Sequence, residues 1–147
     1  MFFSGIEKSS LVDFKDKLTC TVFTYGCNYR CPFCHNSQLV TANSSVRIEE
    51  DEVLVFLKKR KALLDAVCVS GGEPTLHKEV YGFLEKVKAL GYQTKLDTNG
   101  TNPEFLADLI NGGLVDYVAM DIKTSFENYS KITDVENPNT KKVKQSL

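Results

Sequence analysis

Hydrophobic and polar positions along this chain follow two rhythms. Four strand-like segments, at 18–23, 66–69, 93–97 and 115–120, alternate with helical ones, the first rich in apolar and β-branched residues. The second, Ala66-Val67-Cys68-Val69, is continuously apolar, as expected of a strand covered on both faces. The third is weaker, but Gly91 precedes it and Asn99-Gly100 follows it, both good boundaries. Between the strands the apolar spacing lengthens to that of a helix. Val53, Phe56, Leu57, Leu63 and Leu64 share one stripe, with acidic residues at 49–52 and basic ones at 58–61, the order a helix dipole favours. A second stripe, Val80, Phe83, Leu84, Val87 and Leu90, stops at Gly91. A third helix opens at Asn102-Pro103, a cap residue and then proline, and runs through Phe105, Leu106, Leu109 and Ile110 to Gly112. Residues 141–147 read as the opening turns of one more helix.

Strand and helix alternation of this kind predicts an α/β fold with a parallel sheet and right-handed crossovers. Four parallel strands cannot close a barrel, since a complete eight-fold one takes about 250 residues. The expectation is a partial (β/α) barrel, truncated at its C-terminus, with residues 1–147 forming a single core domain.

Composition narrows the function classes. With 42% hydrophobic and 25% charged residues in 147, the chain has the make-up of an ordinary globular protein with a real core. Net charge is −1 and no basic face recurs, which argues against nucleic acid as a partner. The N-terminus lacks a charged region ahead of an apolar stretch, and no run approaches the roughly 20 apolar residues of a membrane span. Five cysteines is an odd count, and three of them crowd into positions 27–34. That pattern favours metal over disulfides and places the chain in a reducing cytoplasm. Cys20 and Cys68, inside predicted strands, read as small buried hydrophobes.

The three clustered cysteines, Cys27, Cys31 and Cys34, have the spacing C-x3-C-x2-C, with no fourth cysteine at ligand distance in sequence. Iron–sulfur cubes normally take four thiolates. Three would hold three corners and leave one iron open, and an open position is what separates a reactive metal site from a closed structural one. The rival is a structural zinc site with His35 as fourth ligand, but adjacent Cys34 and His35 make joint tetrahedral ligation awkward. Within the loop, Gly26 permits a tight turn and Arg30 is placed to keep the thiolates charged.

Each predicted strand leads into a distinctive motif. After the cysteine loop come Ser70-Gly71-Gly72-Glu73-Pro74, then Asp97-Thr98-Asn99-Gly100, then Asp121-Ile122-Lys123. Carboxyl ends of parallel strands are where ligands bind in such folds. Gly71 and Gly72 would let a ligand approach the backbone, and Glu73 would accept from a cationic amine. Asp97 and Asp121, at neighbouring strand ends, could share a cation, and Lys123 could pair with a carboxylate. His77, just past the glycine motif, could face the substrate but reads rather as a helix-entry or solvent residue.

These residues resemble the radical S-adenosylmethionine superfamily, whose C-x3-C-x2-C loop binds a [4Fe–4S] cluster. The resemblance implies that Cys27, Cys31 and Cys34 are cluster ligands and that S-adenosylmethionine chelates the open iron. Electron transfer then cleaves the sulfonium to methionine and a 5′-deoxyadenosyl radical, chemistry that side chains alone do not supply. It further implies that Phe33 lies beside the adenine and that Gly71, Gly72, Glu73 and Pro74 receive the methionyl amine. Asp97, Thr98 and Asp121 resemble a monovalent-cation site, and Asn99 and Lys123 add polar contacts. A narrower similarity, through Gly26-Cys27-Asn28, Cys34-His35-Asn36, Leu96 to Gly100 and Val118 to Asp121, is to anaerobic ribonucleoside-triphosphate reductase activating proteins. It implies a glycyl-radical enzyme as partner and reduced flavodoxin or ferredoxin as electron donor. Pyruvate formate-lyase activation, a peptide or small-molecule substrate, and a non-catalytic metal module are the alternatives. Two departures stand out: Phe14-Lys15-Asp16-Lys17 replaces a usual Pro-Gly turn, and His77 replaces a common Gln.

Overall fold

A computed structural model describes residues 1–41 and 46–147. In chain order the elements are β1 (Phe2–Phe3), β2 (Gly5–Ser10), β3 (Thr19–Thr24), α1 (Ser37–Val40), β4 (Ile48–Glu49), α2 (Glu50–Arg60) and β5 (Ala66–Gly71). They continue with α3 (Val80–Ala89), β6 (Gln93–Thr98), α4 (Pro103–Asn111), β7 (Tyr117–Met120), α5 (Tyr129–Thr133) and α6 (Thr140–Gln145). The main sheet has the order β2-β3-β5-β6-β7, and its last four strands are parallel, as the alternation predicts. Its first edge departs from the expectation, because β2 pairs antiparallel with β3. That strand carries Glu7 and Lys8 on a half-exposed edge, so it lacks the apolar run by which a strand is recognised. β1 and β4 form a separate two-stranded antiparallel ribbon.

Register divides the sheet into two faces. Cys20, Val22, Val67, Val69 and Leu96 point toward the helices and are fully buried with Val53 and Leu57 of α2 and Phe83 and Val87 of α3. Each such side chain contributes roughly 1.5–3 kcal/mol by leaving water, so this face carries the stability and leaves the other for chemistry. On that other face Thr21, Cys68, Lys95 and Tyr117 lie in register across four strands. The first helical stripe needs correction. α2 ends at Arg60, so Leu64 reaches the core from the connection while Leu63 is 60% exposed. Ile110 is likewise half exposed at the rim of α4. Cys20 and Cys68 are both fully buried, as expected, but Cys68 faces the polar side, its Sγ 3.6 Å from Asp97 Oδ2.

The turn at Phe14-Lys15-Asp16-Lys17 closes with Lys17 N–H donating to Phe14 O at 3.1 Å, and Asp16 takes a left-handed φ of 59°. A side chain there is strained where glycine is not. Asp16→Gly is expected to raise stability by roughly 0.5–1 kcal/mol, read as a higher urea midpoint at unchanged slope. Among the described residues, no helix is long and apolar enough to cross a membrane.

Candidate functional site

The cysteine loop leaves β3 at Thr24 and turns at Gly26, whose φ is 74°. Gly26 N–H donates to Leu39 O at 2.7 Å and Cys27 N–H to Val40 O at 3.2 Å, so α1 folds back to hold the loop's start. Cys27, Cys31 and Cys34 are partly buried free thiols lining one cavity of about 580 Å³. Gly71, Gly72 and Glu73 line it from β5, and Asp97, Thr98 and Asn99 from β6. Asp121 and Lys123 approach from β7, and Phe33, 52% exposed, stands at the edge. Of the residues the resemblance assigns to the cluster and cofactor, Pro74 alone lies off the cavity; it is buried and starts the 3-10 turn Pro74–Leu76. His77 does not line the cavity either. Its Nε2 donates to Tyr25 O at 2.7 Å, fixing the approach to the cysteine loop.

The paired glycines, besides lining the cavity, are required by a close crossing of the chain with itself. Gly71 has a φ of 117°, and a Cβ there would overlap the Thr24 backbone. A Cβ on Gly72 would overlap the carbonyl of Gly26. What approaches this backbone so closely is the chain itself. Gly72 N–H donates to Thr24 O at 3.0 Å and Glu73 N–H to Gly26 O at 2.8 Å, tying the glycine turn under the cysteine loop.

Glu73 is 1% exposed and saturated with donors. Its Oε1 accepts from Thr75 N–H (3.0 Å), Thr75 Oγ1 (2.5 Å) and Thr98 Oγ1 (2.7 Å), and its Oε2 accepts from Asn99 N–H (2.7 Å). Burial pushes this carboxyl above its ordinary range, while the four hydrogen bonds pull the other way. The carboxylate is thus a staple between the ends of β5 and β6. Asn99 extends it: its Nδ2 donates to Asn28 Oδ1 at 2.8 Å, and its Oδ1 accepts from Thr101 N–H at 3.0 Å. Asn28 Nδ2 donates in turn to Thr101 Oγ1 at 2.8 Å. Asn28 and Thr101 join the network although neither is among the predicted site residues of the four strand-end motifs. An asparagine beside a ligand cysteine and a threonine just after a glycine turn are the local signals that point to them.

The charges also fall differently from the sequence reading. Arg30 turns its guanidinium away from the thiols, onto the carbonyls of Cys27 and Tyr29. The cation facing the thiols is Lys123, which lies near enough to offset part of the burial that raises Cys31. Lys123 Nζ is 2.7 Å from Asp121 Oδ2, and Lys95 Nζ is 2.8 Å from Asp97 Oδ1. Each aspartate therefore has its own lysine. Asp97 Oδ1 is buried against the Lys95 ammonium, its partner at that distance.

Burial raises the Cys27 thiol, with Tyr29 N–H partly opposing it, and raises Cys31 likewise. Ligation requires the thiolate, so each thiol gives up a proton on binding metal. Metal uptake is expected to strengthen as pH rises from about 7 toward 9, by up to about tenfold per unit for each protonated thiol. Iron titrations with proton release measured in parallel check this; uptake indifferent to pH would show thiols already ionised.

The residues fit the group their motif implies. Three thiols share one cavity wall, and the polar side chains of Asp97, Thr98 and Asn99 line the same space. Among the described residues no three His, Cys, Asp or Glu side chains converge closely enough for a single metal ion. A cluster bonds each thiolate to a different iron and so holds its ligands further apart than one zinc ion does.

An α/β fold with a three-thiol loop above the ends of parallel strands defines a class of cluster-dependent proteins. The Radical SAM superfamily model matches residues 21–147, and the chain belongs to that superfamily. A Methanocaldococcus jannaschii protein, provisionally named a glycyl-radical enzyme activating enzyme, is 39% identical over 130 residues, covering 87% of this chain and 52% of its own. The 7-carboxy-7-deazaguanine synthase of Halobacterium salinarum is 35% identical over 80 residues, covering 54% and 31%. A solved structure of TYW1 with a lysine–pyruvate adduct bound superposes with a TM-score of 0.57 at 16% identity, over 87% of this chain and 50% of that one. It supports the fold. The chain spans about half the length of the curated relatives it matches.

Proposed function

We propose that residues 1–147 act as a radical S-adenosylmethionine core domain that generates a glycyl radical on a partner enzyme, an anaerobic ribonucleoside-triphosphate reductase. The observation that carries this reading is the convergence of three partly buried thiols, the glycine turn and the Asp97-Thr98-Asn99 turn on one cavity. The named relative at 39% identity supports the choice of partner class. Cys27, Cys31 and Cys34 would hold a [4Fe–4S] cluster, which supplies the electron that splits the sulfonium of S-adenosylmethionine. Phe33, the most exposed aromatic at the cavity edge, offers its ring to the adenine.

Four hydrogen bonds from this chain support a role for Glu73 in shaping the pocket more than in contacting ligand directly. Asp97, Thr98 and Asp121, which line the same cavity, are the residues that would hold a monovalent cation, with the Lys95 ammonium occupying Asp97 Oδ1 in its absence. Lys123 balances charge beside the thiols. Reduced flavodoxin or ferredoxin would supply the electron in an anoxic cytoplasm.

The test is anoxic reconstitution with iron and sulfide, followed by dithionite and S-adenosylmethionine. The expected results are about one cluster per chain, 5′-deoxyadenosine as product, and a glycyl electron paramagnetic resonance signal on mixing with an anaerobic ribonucleotide reductase. Cys31→Ala is expected to abolish all three. Cofactor cleavage with no glycyl signal would retain the chemistry and discard the partner; zinc uptake without sulfide would discard both.

A further inference from the structure

We infer that residues 126–146 form a clasp that positions the cysteine loop from behind, with Tyr29 and Tyr129 as its positioning residues. The inference rests on the reading of that loop as the cluster site and adds to it a second set of residues. Tyr29 lies between Cys27 and Cys31, yet its side chain is only 2% exposed, unusual for an aromatic in a connecting loop. Its burial comes from chain more than a hundred positions away. Tyr29 Oη donates to Pro138 O at 2.7 Å, and the neighbouring Arg30 N–H donates to Thr133 O at 2.8 Å.

The Tyr29 ring meets Tyr129 edge-on, with centroids 6.2 Å apart, and Tyr129 is itself fully buried and stacked on Phe126 at 5.6 Å. Val143 of α6 completes this second apolar cluster, against which Cys27 and Cys31 pack. The Lys144 ammonium sits 4.5 Å from the Phe126 ring centroid and holds α6 in place. Two further bonds tie the clasp to the strand ends. Tyr129 Oη accepts from Lys123 N–H at 3.1 Å, and Ser146 Oγ donates to Gly100 O at 2.8 Å.

The cysteine loop is therefore held between two surfaces. On one side is the cavity, whose wall Tyr29 joins; on the other Tyr29 packs into the buried layer of Tyr129 and Val143. A loop of this length pays a large entropy cost to present thiols in one geometry. The clasp meets that cost before any metal arrives, because Tyr29 and Arg30 are fixed at two of the three positions between the first two thiols. Cys34 lies outside the aromatic cluster, so the clasp acts on Cys27 and Cys31.

The full 147-residue chain carries the test, as three variants. Tyr29→Phe removes only the bond to Pro138, Tyr129→Phe removes only the acceptor for Lys123, and Tyr129→Leu removes the ring contacts as well. In iron-free protein, hydrogen exchange at the Arg30 amide is expected to quicken roughly three- to tenfold in Tyr29→Phe, the weight of one buried hydrogen bond. Amides of β5 and β6 should keep their wild-type rates. In reconstituted protein, iron loss to EDTA should quicken by a similar factor and the reduced-cluster resonance should broaden, with Tyr129→Phe milder than Tyr129→Leu. An unchanged Arg30 amide overturns the clasp. So does a uniform acceleration across all amides with a matching fall in the urea midpoint, which would mark plain core packing. Should the wild-type chain take up no cluster at all, the metal reading falls, while the Arg30 exchange still decides the clasp.

Discussion

Gly72→Ala is expected to destabilise the protein on the order of 3 kcal/mol and to abolish cluster loading. The Cβ it adds would overlap the Gly26 carbonyl, a backbone group that cannot swing aside as a side chain tip could. Relief requires lifting the start of the cysteine loop. That breaks the bonds from Gly72 N–H to Thr24 O and from Glu73 N–H to Gly26 O, and it moves the residue just before Cys27. The damage is therefore both energetic and geometric, and it falls on the first thiolate. Gly82→Ala is the matched control. Gly82 lies within α3, and its added Cβ would meet nothing within 4 Å. That change is expected to stabilise by roughly 0.5–1 kcal/mol, since alanine is the better helix former. Urea midpoints and iron per chain measure both. A Gly72→Ala protein with wild-type stability and full iron would refute the chain-crossing account of the glycine pair.

Glu73→Ala is the second large effect, at roughly 3–5 kcal/mol. Two of the four donors it deserts, Thr75 N–H and Asn99 N–H, are main-chain groups buried and fixed in direction. Each buried donor left alone costs about 1–3 kcal/mol. The hydroxyls of Thr75 and Thr98 can rotate to other acceptors and add less. Glu73→Gln keeps the volume but turns one oxygen into a second donor facing existing donors, so a smaller loss of about 1–3 kcal/mol is expected. Because Asn99 also holds Asn28, next to Cys27, both variants should load less iron than their stability loss alone explains. Denaturation at constant slope, set beside iron content, separates the two effects. Equal stability of Glu73→Ala and wild type would mean that water replaces the carboxylate.

Parts of this arrangement were legible in the residue order. Three of the parallel strands carry an apolar run, the third is marked by its glycine boundaries, and a motif follows each, so their gathering at one end of the sheet could be anticipated. β2 could not be read that way, because an edge strand half in water needs no apolar face. Leu63 and Ile110 fit a helical stripe by spacing, yet one lies past its helix end and the other at a rim. Arg30 was expected at the thiols because it is their neighbour in sequence, but the loop's curl gives its guanidinium two nearer carbonyls. The charge near Cys31 comes instead from Lys123, brought in by β7. The glycine pair looked like a ligand contact, since close approach is all that sequence can show; that the approaching group is Gly26 is a matter of tertiary crossing.

Residue order by itself determined the three thiols without a fourth, the alternation of strand and helix, and the placing of four motifs after four strands. Those follow from covalent spacing and from the two backbone periods. Tertiary structure alone decided which way the side chains of those motifs point. In loops that direction is set by partners far along the chain: Asn99 for Asn28, Thr98 for Glu73, Pro138 for Tyr29. Local sequence carries no record of a hydrogen bond whose other half lies 25 to 109 positions away.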